Sequence, residues 1–153
     1  MVIDYFSKWV EAKSYTTVGS RQMARFIKKN IICRYGLPHH VVTDNGVQFK
    51  ADTEVLLKEY KIEHYRSSPY RPQANGAVEA VNKNIKRILA KTLENYKDWA
   101  DYLQFALWGY RTTARTSTGI TPYSLVYGYE AVLPMEVEIR LLRVMLESKI
   151  AEY

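Results

Sequence analysis

His40-Val-Val-Thr-Asp44-Asn-Gly46 is the stretch whose reading decides the fold, together with Asn75-Gly-Ala-Val-Glu79 further on. The run His40 to Thr43 reads as a covered strand, because β-branched residues suit a pleated surface packed on a core. Asn45-Gly46 is a turn signal, so the strand ends at Asp44. Open α/β sheets place ligands at the carboxyl ends of their strands. Glu79 falls one turn into a helix opened by Asn75. Two carboxylates held on rigid elements are the donor type that hard divalent cations prefer. A pair of such ions about 3.5–4 Å apart can clamp the attacking and leaving oxygens of a phosphoryl transfer.

The segments that surround these acids resemble the integrase core of plant gypsy-type LTR retrotransposons. They are Val2-Ile-Asp-Tyr-Phe-Ser-Lys-Trp-Val-Glu-Ala12, Cys33-Arg-Tyr-Gly-Leu-Pro38 and Val42-Thr-Asp-Asn-Gly46, then Ser68-Pro-Tyr-Arg-Pro-Gln-Ala-Asn-Gly-Ala-Val-Glu79. Trp108-Gly-Tyr-Arg111, Thr116-Ser-Thr-Gly119, Thr121-Pro-Tyr-Ser-Leu-Val-Tyr-Gly128 and Leu133-Pro-Met-Glu-Val-Glu138 extend the likeness over nearly the whole chain. The run Ser68 to Glu79 is specific, whereas any one of the others alone is weak. The resemblance implies a ribonuclease-H-like α/β fold, a mixed sheet flanked by helices. It also implies an enzyme that trims DNA ends and joins them to target DNA with Mg²⁺ or Mn²⁺. Asp44 and Glu79 would be the catalytic residues and the metal ligands.

Two departures from that pattern stand out. The family uses three acids, and the first lies on a strand before the one that Val2 to Phe6 resembles. By this alignment the chain lacks its first strand and with it one ligand, so little activity and weak metal binding are expected of it alone. Asp4 is not the first acid by position; whether it can replace that acid is left open. Second, 34 residues separate Asp44 from Glu79, one fewer than the family spacing. A loop near Lys50 to Asp52 would absorb the difference.

With 153 residues, one domain with a real core is expected. The resemblance puts the core at residues 1–128, followed by a loosely packed helical extension at 129–153. Apolar residues make up 47 % and charged residues 25 %, which is ordinary globular chemistry. One cysteine, Cys33, excludes an internal disulfide framework. No run of eighteen apolar residues occurs and the start is not a signal peptide, so no membrane span is expected. An intracellular chain is expected, and the family role implies the nucleus.

The net charge of +6 is unevenly spread. Residues 21–35 carry Arg21, Arg25, Lys28, Lys29 and Arg34 with no acid, and residues 61–91 carry seven bases and two acids. Basic patches fit a polyanion held by counterion release. A solvated lysine face is the commoner origin of such runs, and it is the reading favoured for 21–35. The 61–91 patch adjoins Glu79, so there nucleic acid is favoured.

Periodicity predicts a strand at 1–6, a hairpin partner at Val10 to Tyr15, and a helix from a Ser20 cap to Tyr35, ended by Gly36 and Pro38. A helix over 52–60 should bury Val55, Leu56 and Leu57, and a strand should run from Ile62 to Arg66. The loop Ser67 to Ala74 leads to a helix from Gly76 to about Tyr96. The next helix, Lys97 to about Thr112, should bury Trp99, Leu103, Ala106, Leu107 and Tyr110, with Phe105 and Trp108 also in the core. A short helix is predicted at Pro122 to Tyr127.

Along the Glu79 helix, Val78, Val81, Ile85 and Ile88 form a core stripe. Glu79, Asn82, Lys83 and Lys86 share an adjacent face. The resemblance implies that this amide and these lysines, with Arg87, contact DNA. The plain alternative is a Glu79–Lys83 surface pair worth about 0.2–0.5 kcal/mol. Asp44 reads equally as an Asx-turn residue, which does not exclude metal binding. Gln48, Gln73 and Asn75 are candidate DNA-contacting amides, and Asn75 reads equally as an N-cap. Tyr70 and Arg71 occupy the loop that approaches substrate in the family. His39, His40, His64 and Cys33 fit no zinc spacing, and Cys33 reads as a buried helix residue. A homo-oligomer is a possible further partner. The runner-up reading is a non-catalytic DNA-binding or assembly module derived from a transposon.

Overall fold

The computed structural model describes residues 1–67, 73–92, 99–116 and 118–132. It divides into two units, residues 1–111 and 112–153. The first opens with a tight hairpin, β1 (Val2–Ile3) paired antiparallel to β2 (Val10–Glu11). Asp4 closes it: its Oδ2 accepts the Ser7 amide at 2.7 Å and the Ser7 hydroxyl at 2.6 Å, while its backbone bonds Trp9 and Lys8.

Successive strand residues point to opposite faces, and the hairpin uses this to carry helices on both sides. Ile3 and Val10 pack with Val81, Ile85 and Leu89 of α4 (Gln73–Thr92) and with Leu103, Ala106, Leu107 and Tyr110 of α5 (Trp99–Arg111). Val2 packs instead with Phe26 and Ile27 of the first long helix and with Leu56 of α3 (Asp52–Glu59). The four stripe residues of α4 face the core as their spacing predicts, and Leu89 joins them.

The first long helix is not uniform. It is α1 (Ser20–Phe26), then a π-helical stretch Ile27–Ile32, then α2 (Cys33–Tyr35). Gly36 ends it at φ 90°, a backbone region open to glycine. The cap is Gly19 rather than Ser20, because the Ser20 hydroxyl donates to Asp52 Oδ2 at 2.6 Å. Cys33 is exposed, contrary to expectation. An α-helical repeat would return it to the face of Phe26 seven residues earlier. The π-helical stretch changes that rotation: the Cys33 amide bonds the Lys28 carbonyl, five residues back.

β3 (His40–Thr43) pairs parallel with β4 (Glu63–Arg66), Val41 opposite His64 and Thr43 opposite Arg66. The Ser67 amide extends the ladder to the Thr43 carbonyl at 2.8 Å. Both kinds of pairing expected of a mixed sheet are therefore present, in two separate ladders. Between β3 and α3, Thr53 is fully buried and its hydroxyl donates to the Gln48 and Ser20 carbonyls. That ties the short 3₁₀ turn Val47–Phe49 to both helices.

Several expected core residues lie outside. Val55 is 65 % exposed and Phe105 is 67 % exposed. Each sits two residues from the buried positions on both sides of it, about 200° around the helix. Trp108 is one residue past Leu107 and also exposed; Trp99 shares the core stripe but is the first residue of α5 and is exposed. Helix α4 starts at Gln73, three residues before the expected Gly76, so Asn75 lies inside its first turn rather than at the cap. Of the predicted extension at 129–153, residues 133–153 lie outside the described residues.

The buried centre of the hairpin side is Glu11, 4 % exposed. Its Oε1 accepts from Trp9 Nε1, Arg34 and Tyr35, and Arg111 reaches its Oε2 at 3.1 Å. Nothing in the sequence around Glu11 distinguishes it from a surface strand residue. In the second unit, α6 (Pro122–Tyr127) is capped by Thr121, whose Oγ1 accepts the Ser124 amide and donates to Glu130.

Candidate metal and nucleic-acid site

Asp44 leaves the carboxyl end of β3 and is exposed. Its Oδ1 accepts the Gly46 amide at 2.9 Å, so the Asx turn that Asp-Asn-Gly predicts is formed. The Gln48 side chain folds back over Gly46, where any Cβ would overlap its amide. Gln48 thus stays beside the Asp44 turn, a placement made possible by the absence of a side chain at residue 46.

Glu79, Asn82, Lys83 and Lys86 are all exposed on α4. The opposite stripe is held against the hairpin and α5, which orients this polar face outward. Among the described residues the ion pairs are Arg34–Glu11, Arg66–Glu54 and Arg111–Glu11. Glu79 and Lys83 therefore do not form the surface pair that their spacing allows. Arg87 is exposed and donates to Asn84 Oδ1 at 3.2 Å, on its own helix. The backbones of Gln73 and Asn75 lie in the first turn of α4. Tyr70, Arg71 and the side chains of Gln73 and Asn75 lie outside what the structure describes.

The donor chemistry of Asp44 and Glu79 suits a hard cation. The fit stops at these two: among the described residues no three His, Cys, Asp or Glu side chains gather where they could hold a metal. Asp4 Oδ2 is engaged by Ser7 within the hairpin.

Sequence reasoning weighed His64 only for a zinc site, which its spacing does not fit. Its Nε2 lies 2.8 Å from the Thr43 hydroxyl, next to Asp44. Partial burial, then the Arg66 charge, lower its pKa from the ordinary histidine value. The parallel register of β3 and β4 makes this contact, and no local motif announces it.

Residues 1–72 match the integrase core domain family. Over 129 residues, 82 % of this chain, the sequence is 38 % identical to the Pol polyprotein of feline endogenous virus ECE1. The chain is similar to retroviral integrase core domains. It spans 12 % of that polyprotein's length. Among solved structures, the chain superposes on a chain of the simian T-cell lymphotropic virus intasome. The TM-score is 0.72 at 25 % identity, over 86 % of this chain and 48 % of the other. It also superposes on the HTLV-2 integrase catalytic core domain, solved in complex with magnesium in a trimeric form. There the TM-score is 0.68 at 24 % identity, over 82 % of this chain and 81 % of the other. The α/β, ribonuclease-H-like fold of integrase catalytic cores is thus the fold of this chain. No helix among the described residues is long and apolar enough to cross a membrane.

Proposed function

We propose that this chain is the integrase core of an LTR-retrotransposon polyprotein of the plant gypsy type, acting in DNA integration in the nucleus. Asp44 and Glu79 serve as its acidic ligands for Mg²⁺ or Mn²⁺. The observation that carries this reading is the placement of both acids. Asp44 is exposed at a strand's carboxyl end, and Glu79 is exposed and unpaired beside Lys83 and Lys86 on α4. A bound divalent ion would polarise a phosphoryl oxygen and stabilise a leaving oxygen. The chain's own part is to hold DNA phosphates alongside. Lys83, Lys86 and Arg87 offer positive charge, and Asn82 a neutral amide, from one rigid helix. Gln48, Tyr70, Arg71, Gln73 and Asn75 complete the DNA-contacting set in this reading. The magnesium and the trimer of the HTLV-2 core support a divalent cofactor and a homo-oligomer for this one.

A second reading has an observation of its own. With no group of three His, Cys, Asp or Glu side chains gathered among the described residues, the isolated chain in this reading is a weak cation binder with little strand-transfer activity. It then acts as a DNA-binding or assembly module. The test is a strand-transfer assay in Mn²⁺ with labelled oligonucleotide ends, run beside a filter-binding assay. DNA joining that vanishes in Asp44→Asn and in Glu79→Gln supports the integrase reading for the chain alone. DNA binding without joining supports the module. Joining that survives both substitutions overturns the assignment of the two acids.

A further inference from the structure

Thr43 precedes Asp44 and is 5 % exposed. Its hydroxyl has two partners, the Asp44 carbonyl at 2.9 Å and His64 Nε2 at 2.8 Å. A hydroxyl has one proton and can also accept. With that proton directed to the Asp44 carbonyl, the ring nitrogen must be the donor, so His64 is the Nε2–H tautomer. The chain of bonds runs from His64 Nε2–H to Thr43 Oγ1, and from Thr43 O–H to the Asp44 carbonyl. On the far side, the Gly46 amide holds Asp44 Oδ1. Asp44 is gripped at its carbonyl and at one carboxylate oxygen, and the other oxygen, Oδ2, takes part in neither tie.

We propose that His64 is a positioning residue for Asp44, which through Thr43 fixes the backbone carbonyl and so sets the direction in which Oδ2 is presented to a divalent cation. This rests on the reading of Asp44 as a cation ligand. The sheet register supplies the geometry. Val41 lies opposite His64 and Thr43 opposite Arg66. His64 and Thr43 are therefore two ladder positions apart, with both side chains on one face. The groups that act electrostatically on His64 are Arg66 and Glu54, which pair with each other. A protonated ring keeps its Nε2–H, so the tie persists in either charge state. Partners that orient a ligating carboxylate in this way are worth about 10–100-fold in metal affinity.

The experiment is a Mn²⁺ titration of the ¹⁵N-labelled full chain, following paramagnetic broadening of the Gly46 amide, which senses weak sites. Asp44→Asn should abolish the broadening; if it persists there, the ligand reading of Asp44 fails. His64→Ala should raise the Mn²⁺ needed for half-broadening by about tenfold or more, and His64→Gln, which retains an N–H donor, should recover most of that loss. Thr43→Val keeps the side-chain volume, removes the hydroxyl, and should match His64→Ala, so the proposal stays testable if one variant folds poorly. Broadening that needs Asp44 yet is indifferent to His64→Ala and Thr43→Val overturns the proposal. Equal losses in the Ala and Gln variants, or a wild-type ring in the Nδ1–H form by ¹⁵N shift, overturn it too.

Discussion

Replacing Lys83, Lys86 and Arg87 together with alanine should flatten the salt dependence of DNA binding without unfolding the chain. All three are exposed on α4, on the side away from the stripe that packs on the hairpin. Exposed substitutions of this kind usually change stability by no more than about 0.5 kcal/mol. Each phosphate contact adds about 0.9 to the slope of log K against log salt on duplex DNA. Loss of three should therefore reduce the slope by about 2.7. Across a fourfold salt range, such as about 50 to 200 mM, that amounts to roughly a fortyfold difference in how far affinity falls. Arg87 also bonds Asn84 on its own helix, so its share is the smallest and the double lysine variant should keep most of the effect. The assay is fluorescence anisotropy with two duplexes of unrelated sequence, at four salt concentrations. The loss should be the same for both duplexes, because phosphate contacts carry no base information. An unchanged slope would refute the placement of the DNA face on α4. The next surface to test would then be Arg21, Arg25, Lys28 and Lys29, which lie on the helix packed against the other side of the hairpin.

Glu11→Ala should destabilise the chain by about 3–5 kcal/mol, because it breaks a largely buried ion pair with Arg111 and removes the acceptor of Trp9 Nε1 and the Tyr35 hydroxyl; urea denaturation measures this, and a loss below about 1 kcal/mol would show that the cluster is dispensable. The lowered His64 pKa favours the neutral ring in the folded state. Its contribution to stability is thus present above the ordinary histidine value of about 6.5 and lost as pH falls through the folded value. Thermal melts of His64→Gln should accordingly lose less stability than wild type between neutral pH and pH 5, and identical profiles would contradict this. β1 and β3 each pair with a single strand among the described residues, and such edges invite association. Analytical ultracentrifugation should show concentration-dependent self-association, and a strict monomer at high concentration would count against it.

Much of the fold is legible along the chain because its signals are local. The β-branched run before Asp-Asn-Gly marks β3. The 3- and 4-residue spacing of Val78, Val81, Ile85 and Ile88 marks the core stripe of α4. Asp44 at a strand end and Glu79 on an outward helix face follow from the same patterns, since a strand alternates and a helix repeats by fixed geometry. Other features needed partners distant in sequence. Cys33, expected to be buried, is outside because a π-helical stretch changes the rotation of the helix before it. Aromatic identity suggested that Phe105 and Trp108 were core, but the helix phase set by Leu103 and Leu107 placed them outside. Glu11 became a buried ion-pair centre only when Arg34 and Arg111, from two other helices, converged on it. His64 met Thr43 only through the parallel register of β3 and β4. Periodicity reports which face of an element is apolar. Which polar groups meet across elements is decided by packing, where each buried donor and acceptor must find a partner.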